Sequence, residues 1–235
     1  MTTPAILERE WPLNERQPPV YQLLHLMEET AALHTIEMGI PRPFMLERYS
    51  AVWMIVRAWV QMNREVDLSA PLTVRTWHRG VTAGVVFRDF DLIQRGETIG
   101  QAVQTWVLVD VERRTLFRMS KVPELVNSPV PETVKDLRPR KLTPPRLLTP
   151  AEPLCAPQET VDVNGHINNA AYVPLLLDAL PRPVRAVRTL EINYHHECFA
   201  GQQLPRQLWQ EGSEAYVRLL TPEGLNALDL QVESF

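Results

Sequence analysis

One order of elements occurs twice along this chain. A helical pattern followed by several strand-like runs is separated by a proline-rich stretch from a second helical pattern followed by strand-like runs. In the first half, VYQLLHLMEETAALHTIEMGI at 20–40 places Leu23, Leu24, Met27, Ala31, Ile36 and Met38 near helical spacing, with Gly39 and Pro41 as a stop. Five runs rich in β-branched and aromatic residues follow at 50–62, 72–79, 84–94, 98–111 and 115–120, with a tight turn at 95–97. In the second half, 168–180 reads as the helix, and 185–197, 202–210, 214–221 and 226–234 read as strands. Between them, residues 128–153 carry seven prolines and no sustained apolar period, which reads as a surface linker. The expected division is therefore 1–127, a linker at 128–153, and 154–235. A helix wrapped by its own antiparallel sheet, twice over, is an α+β architecture whose seam is the natural place for a ligand.

Composition narrows the function classes. At 235 residues, 45% hydrophobic and 22% charged, the chain can bury a sizeable core. The net charge of −4 gives no general attraction to nucleic acid or to an anionic membrane. Glycine is scarce at 9, and neither a dinucleotide-binding nor a P-loop pattern occurs, so no nucleotide cofactor is expected. Cys155 and Cys198 cannot form a disulfide framework, the amino-terminal segment lacks the apolar core of a signal peptide, and the most apolar stretch, 51–60, is only ten residues long and carries Arg57. A cytoplasmic protein without a membrane segment is expected.

The chemistry concentrates in VDVNGHINNAAY at 161–172. Asp162, Asn164 and His166 occupy alternate positions just before the second helix, so in extended backbone they point one way. Asn168 or Asn169 is suited to cap the helix. A polar turn that merely caps a helix would explain the asparagines. It does not call for a carboxylate, a carboxamide and an imidazole together beside a helix amino terminus, where amide hydrogens and a partial positive charge stabilise an oxyanion.

This segment resembles the D-x-N-x-H-x-N-N-x-x-Y motif of acyl-acyl carrier protein thioesterases, and NYHHEC at 193–198 resembles that family's second signature, in which Glu-Cys ends a strand. Weaker similarity touches Trp53, Thr76 with Trp77, residues 88–90 and residues 105–114, so the resemblance spans about residues 20–200. It implies a double hot-dog fold, two repeats each with a central helix inside a curved antiparallel sheet. It also implies hydrolysis of fatty acyl-acyl carrier protein thioesters, with catalytic roles for Asp162, Asn164, His166 and Glu197. Asn168 and Asn169, at the helix start, become candidates for holding substrate. The implied partner is acyl carrier protein bearing a fatty acyl chain. Self-association into a homodimer is left open, and no cofactor or metal is called for.

Thioester cleavage needs a nucleophile, oxyanion stabilisation and departure of a thiolate. In the favoured reading Glu197 and His166 activate water, Asn164 and helix amides hold the oxyanion, and Asp162 orients Asn164 or His166. In the competing reading Cys198 is the nucleophile and His166 its base. Regular strand alternation through 197 and 198 would put these two side chains on opposite faces. His195 and His196 read as strand or surface histidines, since no partner cluster has metal-ligand spacing. Pro174 inside the second helix predicts a late start or a bend, and Asp178 near its end reads as a supporting carboxylate.

The 20–40 helix and the strand bearing Trp53, Met54 and Trp59 supply apolar material for an acyl tunnel. Two basic clusters could meet an acidic carrier protein: Arg138, Arg140, Lys141 and Arg146, and Arg182, Arg185 and Arg188. Two other functions share the fold: a hydratase or dehydratase acting on 3-hydroxyacyl thioesters, and a non-catalytic acyl-binding module. The hydratase gives no use to Asn164 together with Glu197, and the binding module gives none to the full polar set.

Overall fold

Proline opens the first long helix and glycine closes it. A computed structural model describes residues 4–132, 137–161 and 165–235. Strand β1 (Leu7–Trp11) precedes helix α1 (Pro19–Glu37). Pro19 suits the first helical turn because its fixed φ is already helical and its missing N–H would have no partner there. Val20, Leu23, Leu24, Met27, Ala31 and His34 form the buried stripe of α1, and Trp11 Nε1 donates to Thr30 Oγ1 at 2.9 Å, tying β1 to the helix. Gly39 takes φ +72, a left-handed conformation that ends the helical path with little strain.

After the short helix α2 (Arg42–Tyr49) come β2 (Ala51–Met62), β3 (Leu72–Thr82), β4 (Val85–Gln94), β5 (Glu97–Asp110), the two-residue β6 (Thr115–Leu116) and one turn of helix, α3 (Pro123–Val126). The second half holds β7 (Thr149–Cys155), α4 (Asn169–Asp178), β8 (Val187–Tyr194), β9 (Gln203–Glu211), β10 (Glu214–Leu220) and β11 (Asn226–Ser234).

All strand pairings are antiparallel, and apart from β6, which pairs with β5, the sheet order is β1-β3-β4-β5-β2-β8-β11-β10-β9-β7. The halves meet where β2 pairs with β8, from Arg57 opposite Asn193 to Gln61 opposite Thr189. Outward from that junction the order is β2, β5, β4, β3, β1 on one side and β8, β11, β10, β9, β7 on the other. Each half thus puts the long strand after its helix at the centre and its last long strand beside it. Helices α1 and α4 pack against each other, and one continuous core joins Met27 of α1 to Val173 and Leu176 of α4.

Several elements differ from the sequence reading. Residues 42–49 form a helix, and β1 is a short edge strand with the three charged residues at its centre exposed. Strand β7 begins at Thr149, inside the expected linker; its prolines are tolerated because it lies at the sheet edge, where a missing amide hydrogen breaks no central ladder. Helix α4 begins at Asn169 despite Pro174. The run expected at 115–120 is strand only at Thr115–Leu116. Within the linker, the Asn193 carboxamide accepts from Leu142 N at 2.8 Å and donates to Arg140 O at 3.0 Å, fixing that stretch against β8.

Candidate active site

Two segments remote in sequence are stitched together at the start of α4. Gly165 has φ +82, where a side chain would be strained, and turns the chain into His166. Ile167 bridges Val161, and Ile167 N donates to Cys198 O at 2.9 Å. On the other segment β8 stops at Tyr194, because the amides of His195 and His196 both turn to Ala227 O, at 2.9 and 3.1 Å. The imidazole of His195 is 3.3 Å from Asp229 Oδ2, and His196 Nδ1 is 2.7 Å from Asn226 O. Strand alternation therefore lapses before residue 197.

The consequence is a contact and a burial. His166 Nδ1 lies 3.4 Å from Glu197 Oε1, both side chains keeping partial access to solvent, and Phe199 meets the His166 ring edge-on at 5.0 Å. Cys198 is fully buried; its amide donates to the Tyr172 hydroxyl at 3.2 Å. Burial pushes the Cys198 thiol up, away from the thiolate form a nucleophile needs. Burial, with Cys198 beside it, also pushes the Tyr172 hydroxyl up.

Of the remaining candidates, Asp162 and Asn164 lie outside the described residues. Asn168 is the helix cap, its Oδ1 accepting from Ala170 N at 2.9 Å and its carbonyl from Ala171 N at 3.0 Å. Those two amides are thereby already engaged. Asn169 O accepts from the Tyr194 hydroxyl at 3.2 Å.

A cavity of about 1140 Å³ runs between α1 and α4 and into the first half. Thr160, Val161, Asn168 and Ala171 wall it beside the α4 start, and Pro174 and Asp178 also line it. On the first-half side it meets Trp53, Val86 and Trp106, but also His78 and Arg88. Of the expected tunnel residues, Trp53 contributes, whereas Met54 and Trp59 are absent from the wall.

His78 and Arg88 were missed by sequence reasoning. Their signal was strand alternation: His78 is in phase with Leu72, Val74 and Thr76, and Arg88 with Val86, Phe90 and Leu92, all inward-facing residues. Among the described residues, no group of three or more His, Cys, Asp or Glu side chains is placed to hold a metal ion, and no helix is long and apolar enough to cross a membrane.

Two family models match: the acyl-ACP thioesterase N-terminal domain over residues 15–127 and the acyl-ACP thioesterase C-terminal domain over residues 158–221. The chain belongs to the acyl-ACP thioesterase family. Among its relatives, a chloroplastic acyl-[acyl-carrier-protein] hydrolase of Cuphea viscosissima is 25% identical over 212 residues, covering 78% of this chain and 48% of the relative. The chain thus spans about half the length of the curated relatives it matches. The fold is that of two solved acyl-ACP thioesterases. The 12:0-ACP thioesterase from Umbellularia californica superposes with a TM-score of 0.79 at 18% identity, covering 98% of this chain and 97% of that one. An acyl-ACP thioesterase from Bacteroides thetaiotaomicron gives 0.77 at 19% identity, covering 97% of each. Membership places the His166–Glu197 contact within the matched C-terminal domain model.

Proposed function

We propose that this chain hydrolyses the thioester joining a fatty acyl chain to acyl carrier protein, releasing free fatty acid. The observation that carries the reading is the approach of His166 to Glu197 beside the amino terminus of α4, the helix end whose Asn168 and Ala171 wall the large cavity. The carboxylate orients the imidazole, which takes a proton from water as the oxygen attacks the thioester carbonyl carbon. Negative charge develops on the carbonyl oxygen and is held by Asn164 and the Asn169 amide, while Asp162 orients Asn164 or His166. The C–S bond then breaks, and the phosphopantetheine sulfur leaves as a thiolate that needs little help from an acid.

The mirrored strand order about the β2–β8 junction supports a double hot-dog, with the acyl chain received along the seam and into the first repeat, and the chemistry in the second. In this reading 1–127 and 154–235 are the two repeats. Arg138, Arg140, Lys141 and Arg146, and Arg182, Arg185 and Arg188, are exposed and offer acyl carrier protein an electropositive approach.

The test is release of free thiol from a panel of acyl carrier protein and coenzyme A thioesters at increasing ionic strength. The reading expects turnover of acyl carrier protein substrates that falls with salt more steeply than turnover of small thioesters. No thiol release from any substrate would favour an acyl-binding module instead.

A further inference from the structure

Glu197 lies past the end of β8, where strand pairing no longer fixes the chain. The residues between are held instead by bonds to the start of β11. His195 N and His196 N both donate to Ala227 O, at 2.9 and 3.1 Å. The rings follow their amides: His196 Nδ1 donates to Asn226 O at 2.7 Å, and His195 Nε2 donates to Asp229 Oδ2 at 3.3 Å. Each histidine is therefore gripped twice, once by its backbone and once by its side chain.

Asp229 gathers these bonds. By strand alternation it points away from the core that Leu228 and Leu230 enter, yet it is buried. Its Oδ1 accepts from Arg218 Nε at 2.8 Å. Its Oδ2 accepts from Asn226 Nδ2 at 2.8 Å and from Arg218 Nη2 at 3.3 Å, in addition to His195. Arg218 stands directly opposite on β10, and Asn193 of β8 stands opposite on the other side. Burial works against the charge, but the bonds from Arg218, Asn226 and Tyr216 outweigh it and hold the Asp229 carboxyl below the usual carboxylate range. At neutral pH it is an ionised acceptor whose oxygens both take charge-assisted bonds.

The chain is also held on the far side of Glu197, where Cys198 O accepts from Ile167 N at 2.9 Å and Cys198 N donates to the Tyr172 hydroxyl at 3.2 Å. Bracketed in this way, Glu197 Oε1 arrives 3.4 Å from His166 Nδ1. Such a couple depends on placement, since a displacement of about 1 Å caused far from the reacting atoms can cost on the order of 10²-fold in rate. We propose that Asp229 is a positioning residue for the reaction, acting through His195 and Asn226 to fix the 195–196 turn from which Glu197 is presented to His166. The inference rests on the reading that His166 and Glu197 act together on a thioester.

The test compares Asp229→Asn with Asp89→Asn. A carboxamide has one accepting end and one donating end, so it cannot accept from Arg218 on one side and from Asn226 and His195 on the other. Asp89→Asn breaks another buried ion pair, with Arg79 in the first half, and controls for lost stability. Two quantities are read: amide hydrogen exchange along the chain, and kcat and KM on an acyl carrier protein thioester.

In Asp229→Asn the amides of His195 and His196 are expected to exchange at least about tenfold faster, with the β8 amides changed no more than in Asp89→Asn. The same variant lowers kcat by about tenfold or more and leaves KM within about threefold, whereas Asp89→Asn keeps kcat within about threefold. In a Glu197→Gln background the Asp229→Asn change costs less than about threefold, because the side chain it places has lost its role. Unchanged exchange at 195–196 overturns the proposal, as does an unchanged kcat or an equal loss with and without Glu197. Should Asp229→Asn not fold, His195→Gln and His195→Phe decide. The amide retains a donor for the carboxylate and is expected to turn over at least about threefold faster than the phenyl variant; equal rates overturn the proposal. Exchange is read without turnover, so a wild type that cleaves no thioester fails the hydrolase reading, while faster exchange confined to 195–196 still shows that Asp229 holds the turn.

Discussion

His166 Nδ1 lies 3.4 Å from Glu197 Oε1, and the two residues reach one another because the Ile167 amide is bonded to the Cys198 carbonyl. A backbone bond one residue beyond each side chain sets the separation of imidazole and carboxylate. If they work as one base, Glu197→Gln lowers kcat on an acyl carrier protein thioester by about 10²–10⁴-fold. Combining it with His166→Ala costs little beyond the worse single change, since residues acting as a unit are not additive. Steady-state rates of the two single variants and the double variant check this.

Cys198 is buried against Tyr172, and its thiol is pushed up by that burial. Replacing it with alanine removes a small core group and no nucleophile. Cys198→Ala is expected to keep kcat within about threefold of wild type and to lose roughly 1 kcal/mol of stability, the cost of a small cavity. Urea unfolding and steady-state rates, measured on the same preparation, separate the two effects.

Stability falls on mild acidification. His34 and His78 are lowered by burial to about 4 and about 3 from an ordinary value of 6.5. Between the lowered values and 6.5 the unfolded chain binds more protons than the folded one. The stability they contribute is therefore complete above about pH 6.5 and is lost as pH falls towards 4 and 3. With both titrating only in the unfolded chain, the slope approaches about 2.7 kcal/mol per pH unit. Unfolding by urea at several pH values from neutrality down to about 5 measures this slope above most carboxylate titration. The variant His78→Asn should show roughly half of it.

The Arg79–Asp89 pair on the opposite face of the sheet is almost fully buried and doubly bonded, and Arg79 Nη1 also holds Leu137 O of the linker at 2.6 Å. Removing the carboxylate strands a buried guanidinium. Asp89→Ala is expected to cost about 3–5 kcal/mol, read as a drop in the midpoint of urea unfolding.

Periodicity made the long elements legible. The buried stripe of α1 follows helical spacing, and most of the strand-like runs coincide with strands because β-branched and aromatic residues fill both faces of a largely covered sheet. Strand β1 was illegible because an edge strand with three exposed charged residues at its centre has no apolar alternation, and β7 because its prolines read as linker until the sheet edge is known. The motif around His166 was visible as an unusual assortment of groups. That Glu197 reaches it while Cys198 turns inward was not, because the amides of His195 and His196 leave the ladder for Ala227, a contact no local pattern encodes. Arg88 was hidden for the opposite reason. Its alternation phase put it inside, but that the guanidinium meets His34 of α1 there is a long-range contact no local pattern encodes.

The most direct measurement is single-turnover thiol release from an acyl carrier protein thioester by wild type and by His166→Ala at matched folded concentration. Wild type is expected to release thiol and His166→Ala to lose at least about a hundredfold in rate, with acyl-chain binding retained. Equal rates from the two proteins would contradict it.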